Sequence, residues 1–222
     1  MKKSLFVLGV LALGLQVKAQ KISVNDGSQK FSDGSHNAYS VTIYETSKSD
    51  VESKWKSFLK DFKTEKVKTE KGELFADNVL IKEWGNNPVD IYTTFEENKE
   101  AKTVQMNVAF NLGGAYLTGA DGDKHKSAKA MIKDFAVKTT KESLGDKVKE
   151  QEKILGKLED NQKDLEKENK GLKSDIDSYK SKIKSAEDNI ARNEEAQAKK
   201  KAEIEAQKKI VDAAKEIMNK VE

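Results

Sequence analysis

The chain has 222 residues, no cysteine and a formal net charge of +3. Three lysines among the first nineteen residues account for this surplus, so the rest of the chain is formally neutral. A neutral chain argues against nucleic-acid binding, which needs an excess of Lys and Arg on one face. Without cysteine, the fold must be stabilised by packing or oligomerisation rather than by disulfides.

Residues 1–19 have the pattern of a secretory signal peptide. Two lysines precede an apolar and glycine run from Leu5 to Leu15, and Val17 and Ala19 suit the −3 and −1 positions of a cleavage site. The run is shorter than the ~20 residues that a membrane-spanning helix needs, although a retained anchor is the alternative. We therefore expect cleavage after Ala19, no later transmembrane segment, and a periplasmic or secreted location.

Aromatic residues divide the remaining chain into two regions. Every Trp and Phe lies at or before Phe135, and Tyr179 is the only aromatic residue after it. Compact cores use large aromatic side chains, whereas long helical seams use Leu, Ile and Val. We therefore expect a flexible lead-in with at most one edge strand over 20–35, a globular domain over 36–123, and a long helix over 124–222.

The globular region alternates between strand and helix patterns. Residues 39–46 are β-branched and alternate, which predicts a strand. A capping box at Ser49 and Glu52 introduces an amphipathic helix over 50–62. Further strands are predicted within 74–112, where the last one has the strictest alternation. The order predicts an α+β fold with an antiparallel sheet of four to five strands and helices on one face.

The long helix carries a heptad pattern that runs unbroken from Leu144 to Val221. Such a period predicts a left-handed coiled coil. Asn169 at an a position, and five flanking pairs of opposite charge, favour a parallel homodimer over a trimer or a hairpin folded back near Gly171 or Asn193. The charge pairs are Lys147–Glu152, Glu168–Lys173, Asp175–Lys180, Lys182–Glu187 and Glu203–Lys208. The predicted oligomer seam is Leu144, Val148, Leu155, Leu158, Leu165, Asn169, Leu172, Ile176, Tyr179, Ile183, Ile190, Ile204, Val211 and Met218.

One cluster resembles a metal site, namely Asp121, Asp123 and His125. A calcium loop would need more oxygen ligands, and zinc would need further His or Cys. The alternative is a polar turn that starts the second helix, with Asp123 as its N-cap. We expect no metal, no cofactor and no catalytic residues, because the chain has two histidines and no nucleophile motif.

The glycine-rich segment 111–119 follows the last strand but lacks the Gly-Lys-Ser/Thr ending of a phosphate loop. One interpretation is a bend in which Tyr116 and Leu117 close the edge of the sheet. The other is a ligand or peptide site formed by the 111–125 loop at the junction with the helix.

The export signal, the segment Asn-Leu-Gly-Gly-Ala-Tyr-Leu at 111–117, the segment Asp-Phe-Ala-Val-Lys at 134–138 and the Lys/Glu-rich helix together resemble an uncharacterised family of secreted or periplasmic Bacteroidetes-type proteins. This resemblance implies no activity. A looser likeness is to trimeric periplasmic holdase chaperones, which are also exported, cysteine-free and rich in coiled coil but are more basic.

These patterns together predict an exported, non-enzymatic structural or adaptor protein of the cell envelope. Its coiled-coil stalk would bind a second copy and present the α+β domain to an envelope protein. The alternatives are a holdase-like chaperone and a ligand- or peptide-binding module that uses the 111–125 loop.

Overall fold

The computed structural model describes residues 21–62 and 64–220, so the predicted signal peptide lies outside the described residues. The chain divides into two units, Met1–Gln151 and Glu152–Glu222. The strands are β1 (Val24–Phe31), β2 (Gly34–Tyr44), β3 (Lys66–Glu70), β4 (Glu73–Val79), β5 (Val89–Asn98) and β6 (Thr103–Asn111), and the helices are α1 (Lys48–Lys60) and α2 (Asp123–Met218).

The strands form one antiparallel sheet of six, in the order β1-β2-β6-β5-β4-β3. This confirms the α+β class and exceeds the predicted four to five strands. The segment predicted as a flexible lead-in contains β1, which pairs with β2 from Val24 to Phe31. The two edge strands, β1 and β3, are mostly polar. Polar residues suit this position because an edge strand can expose its side chains to water. Alternation of apolar residues therefore detects edge strands poorly.

Strand β6 lies at the centre of the sheet, between β2 and β5. Its Val104, Met106, Val108 and Phe110 are fully buried on one face. Successive strand residues point to opposite faces, so this alternation sets which face of the sheet carries the core.

Helix α1 begins after Ser47, whose hydroxyl accepts a hydrogen bond from the Asp50 amide at 3.3 Å. The predicted cap at Ser49 is therefore wrong by two residues, because Ser47 meets the same need of an N-terminal amide for an acceptor. Val51, Trp55 and Leu59 share one helix face and are fully buried.

The first turns of α2 pack on the same face of the sheet as α1, as predicted. The Phe135 ring meets the Trp55 ring edge to face, with centroids 4.7 Å apart. Ala128, Ile132 and Ala136 are fully buried in the same core cluster. Two ion pairs lie further along α2, Lys54–Glu142 at 2.8 Å and Lys147–Glu45.

The second unit consists of the remainder of α2, whose described side chains are all exposed. The helix passes through Gly171 and Asn193 without a break, so the structure does not support the folded-back hairpin. No helix within the described residues is long and apolar enough to cross a membrane.

Candidate functional site

The three metal candidates have separate partners in the structure. Asp121 accepts hydrogen bonds from the amide and the hydroxyl of Thr118, at 2.7 and 3.1 Å. Asp123 lies in the first turn of α2, where it pairs with Lys126 at 3.2 Å instead of capping the helix. Residues 21–62 and 64–220 contain no group of three His, Asp or Glu residues arranged to hold a metal ion.

His125 connects the start of α2 to the sheet. Its Nδ1 is 2.9 Å from the hydroxyl of Tyr39, a fully buried β2 residue. Burial, together with the nearby charges of Asp26 and Asp121, raises the pKa of Tyr39 above its usual value. Tyr39 therefore remains a neutral phenol at ordinary pH, and this hydrogen bond positions the first turn of α2.

The 111–119 loop reverses the chain at two glycines. The Asn111 side-chain oxygen accepts hydrogen bonds from the amides of Gly113 and Gly114, at 2.9 and 3.0 Å. Both glycines have positive φ, +93° and +122°, which side-chain-bearing residues rarely adopt. The returning chain places Leu117 in the core and Tyr116 on the opposite sheet face.

This placement corrects the prediction that Tyr116 and Leu117 close the edge of the sheet. The loop leaves β6, which is a central strand, so Tyr116 lies over the interior of the sheet. It thereby becomes part of a surface that extends well beyond the predicted 111–125 loop.

We call the sheet surface opposite the two helices the open face. Five rings cross it and form the aromatic row: Phe31, His36, Tyr116, Tyr92 and Phe75. Successive ring centroids are 6.0, 3.8, 6.2 and 4.9 Å apart. The row covers the small buried side chains of Ala38 and Ala109.

The Asp33 carboxylate contacts two neighbouring rings of the aromatic row, those of His36 and Tyr116. One carboxylate oxygen lies 2.9 Å from His36 Nε2, and the other accepts a hydrogen bond from the Tyr116 hydroxyl at 3.2 Å. The His36 and Tyr116 rings are nearly parallel, at 11°. Burial and the Asp33 charge raise the pKa of Tyr116 to about 12, so it donates this hydrogen bond as a neutral phenol.

The region around Tyr92 is acidic. Burial raises the pKa of Tyr92, and the charges of Asp90, Asp33, Asp77 and Glu73 raise it further. Asp77, Asp90 and Glu73 form no ion pair with another described residue. The open face therefore combines partly exposed rings with three carboxylates that form no ion pair within the described residues.

Beside the aromatic row the open face is neutral and polar. Asn107 is 1% exposed. Its side-chain oxygen accepts hydrogen bonds from Ser40 at 2.7 Å and Gln105 at 3.3 Å, and its amide nitrogen donates to Thr94 at 3.2 Å. The oxygen and the nitrogen of the Asn107 side chain therefore both have hydrogen-bond partners within the sheet. The sequence predicted the polar face of Asn107 but not these partners.

The predicted seam forms an exposed apolar stripe along α2. The large apolar seam residues run from Leu144, 36% exposed, to Met218, 68% exposed. Ile154, Ile210 and Ile217 widen the stripe at the neighbouring g positions, which the sequence prediction omitted. Leu165 and Asn169 border a surface depression of about 420 Å³ on the helix.

No protein-family model, curated protein or solved structure matches this chain. The open face and the apolar stripe are therefore the features from which a function can be inferred.

Proposed function

We propose that this chain is an exported, non-enzymatic structural or adaptor protein that self-associates through α2. Two copies pair along the apolar stripe as a parallel coiled coil, and each copy presents its α+β domain for interaction with an envelope partner. The observation that carries this proposal is the row of large apolar side chains exposed on a helix that is otherwise rich in charge, interrupted by polar residues between Ile190 and Ile204.

Burial of this stripe is the main driving force. Side chains such as Leu165, Leu172 and Ile183 are 61%, 56% and 58% exposed on the single helix. Apolar surface gains roughly 25 cal/mol for each Å² removed from water. A second copy supplies the same stripe, so a two-fold interface buries the apolar surface of both helices at once.

Charge flanking the stripe favours a parallel arrangement. Glu168 and Lys173 are five residues apart, too far round the helix to face each other within one chain. In a parallel dimer, the g residue of one helix instead faces the next e residue of its partner. The same holds for Glu203 and Lys208. Lys147 is already paired with Glu45 in its own domain. Lys180, Glu203 and Lys208 each form an ion pair with a neighbour on their own helix, so an interchain contact has to compete with these pairs. The argument therefore rests most directly on Glu168–Lys173 and Lys182–Glu187.

Sedimentation equilibrium of residues 20–222 tests the association, and the expected mass is twice that of one chain. Reversing Glu168 and Glu203 to Lys should weaken the dimer. Adding Lys173→Glu and Lys208→Glu should restore it, because each interchain pair is then opposite in charge again. A monomer at all concentrations, or a failure of the fourfold variant to recover, would contradict the parallel dimer.

A second candidate function is binding of a ligand or peptide by the domain. It is favoured by the position of Tyr116, which the 111–119 loop places in the aromatic row. Binding at the open face of one chain requires no dimer. Self-association and ligand binding are therefore compatible functions that can be tested separately.

A further inference from the structure

We propose that the open face docks a cationic peptide segment of a partner protein, with its Lys or Arg side chains between the aromatic row and the carboxylates around Tyr92. The inference deepens the proposed interaction role of the domain and rests on it. It does not depend on the coiled coil.

The first argument is that neither helix covers this face of the sheet. Both helices pack on the opposite face, and the rings of Tyr92, Tyr116 and Phe75 stay partly exposed. Partly exposed aromatic side chains grouped on one surface are typical of protein interaction sites. An extended peptide lying across the strands would contact successive rings of the row.

The second argument is charge complementarity. Glu73, Asp77 and Asp90 share this face with Tyr92. Asp90 accepts a hydrogen bond from the Asn78 amide at 3.0 Å, and Lys66 lies opposite Asp77 in the strand register. None of the three carboxylates forms an ion pair with another described residue. Asp33 is already engaged by His36 and the Tyr116 hydroxyl. Like charges in proximity repel one another, and a cationic side chain placed among them would relieve this repulsion.

The third argument is that the row already accommodates one ammonium group. Lys68 of β3 places its Nζ 5.5 Å from the centroid of the Phe75 ring, within the range of a cation–π contact. The same Nζ lies 2.7 Å from Glu70. A ring contact beside a carboxylate is the arrangement that we infer for the incoming side chains at Tyr92.

Other ligand classes fit this surface less well. The carboxylates of Glu73, Asp77 and Asp90 would repel the phosphates of a nucleic acid. A neutral glycan would need free amide and hydroxyl groups, but Asn107 already bonds to Ser40, Gln105 and Thr94. The face of His36 that meets Tyr116 is closed by ring stacking and offers no platform for a sugar.

The test measures binding of a fluorescein-labelled oligolysine peptide to residues 20–222 by anisotropy, with oligoglutamate as the negative probe. We expect oligolysine to bind, oligoglutamate not to bind, and affinity to fall with added salt. The variant with Glu73→Gln, Asp77→Asn and Asp90→Asn should bind at least about tenfold more weakly, because three opposing charges are lost.

The matched control removes three exposed carboxylates elsewhere, through Asp61→Asn, Glu100→Gln and Asp134→Asn. It changes the net charge equally and should leave the affinity within about twofold. An equal loss in this control would show that oligolysine responds only to overall charge, and the docking site would be rejected.

The aromatic contribution is tested separately by Tyr92→Leu, which keeps an apolar side chain and the charge but removes the ring. We expect several-fold weaker oligolysine binding, and Phe75→Leu should act in the same direction. Circular dichroism confirms that each variant is folded. If both variants bind like the parent chain, the proposed ring contacts are wrong.

Sedimentation of the same samples separates this proposal from the dimer. Oligolysine binding by a chain that sediments as a monomer would refute the coiled coil and leave the docking surface intact. A dimer that does not bind oligolysine would refute the docking surface alone.

Discussion

Replacing two seam isoleucines by lysine, Ile176→Lys with Ile183→Lys, should dissociate the proposed dimer. These residues occupy successive a positions and are 52% and 58% exposed on the single helix. Full burial of an isoleucine side chain contributes roughly 1.5–3 kcal/mol. More than half of each residue is still accessible, so dimerisation should gain about 1–1.5 kcal/mol for each side chain.

A dimer contains four of these isoleucines, so their loss removes roughly 4–6 kcal/mol of association free energy. At about 1.4 kcal/mol for each factor of ten, the dissociation constant should rise by on the order of a thousandfold or more. Sedimentation equilibrium over a range of protein concentrations measures this change directly.

The matched control is Ser174→Lys with Ser181→Lys. Each serine lies two residues before one of the isoleucines, on an f position opposite the apolar stripe, and the replacements add the same charge. We expect the control to sediment like the parent chain. The reasoning is refuted if the two isoleucine changes leave the mass distribution unaltered, or if the serine changes dissociate the dimer equally.

Four further substitutions test the domain and the helix. Trp55→Phe should destabilise the fold by about 1–3 kcal/mol in urea unfolding, because the indole N–H donates to the buried Thr93 hydroxyl at 2.9 Å; no loss would show that this hydrogen bond contributes nothing. Gly114→Ala should lower the melting temperature, because φ is +122° there, whereas Gly156→Ala should raise the stability of α2 by about 1 kcal/mol. Lys129 donates a hydrogen bond to the Asp26 carboxylate at 2.7 Å and lowers the pKa of that carboxyl below its usual 3.8. Its contribution to stability is therefore present above pH 3.8 and is lost as the pH falls through the lowered pKa. Asp26→Asn should flatten that part of the melting-temperature profile, and an unchanged profile would count against the ion pair.

Local periodicity was enough to predict several elements from the sequence. Val104, Met106, Val108 and Phe110 recur at every second position, and the structure buries all four on one face. Val51, Trp55 and Leu59 recur at helical spacing and are buried together on α1. These predictions succeed because a side chain's face within a single element depends only on its position along that element.

Edge strands and capping depend on weaker local signals. The strand β1 has apolar residues only at its ends, Val24 and Phe31, so its sequence resembles a polar loop until its pairing with β2 is known. Ser47 and Ser49 are both suitable helix caps by composition, and in the structure the helix begins after Ser47. In both cases the deciding interaction is not encoded in the spacing of apolar residues.

The sequence by itself determined the apolar face of α1 and the stripe along α2, because each is a repeat within one element. The order of strand and helix repeats along the chain determined the α+β class. Only the tertiary structure decided the strand order and, with it, the aromatic row. Phe31, Phe75 and Tyr116 lie far apart in the chain and become members of one row through strand pairing and the turn at the two glycines. Pairing between distant strands is set by packing of the whole sheet against its helices, a property that no single segment carries.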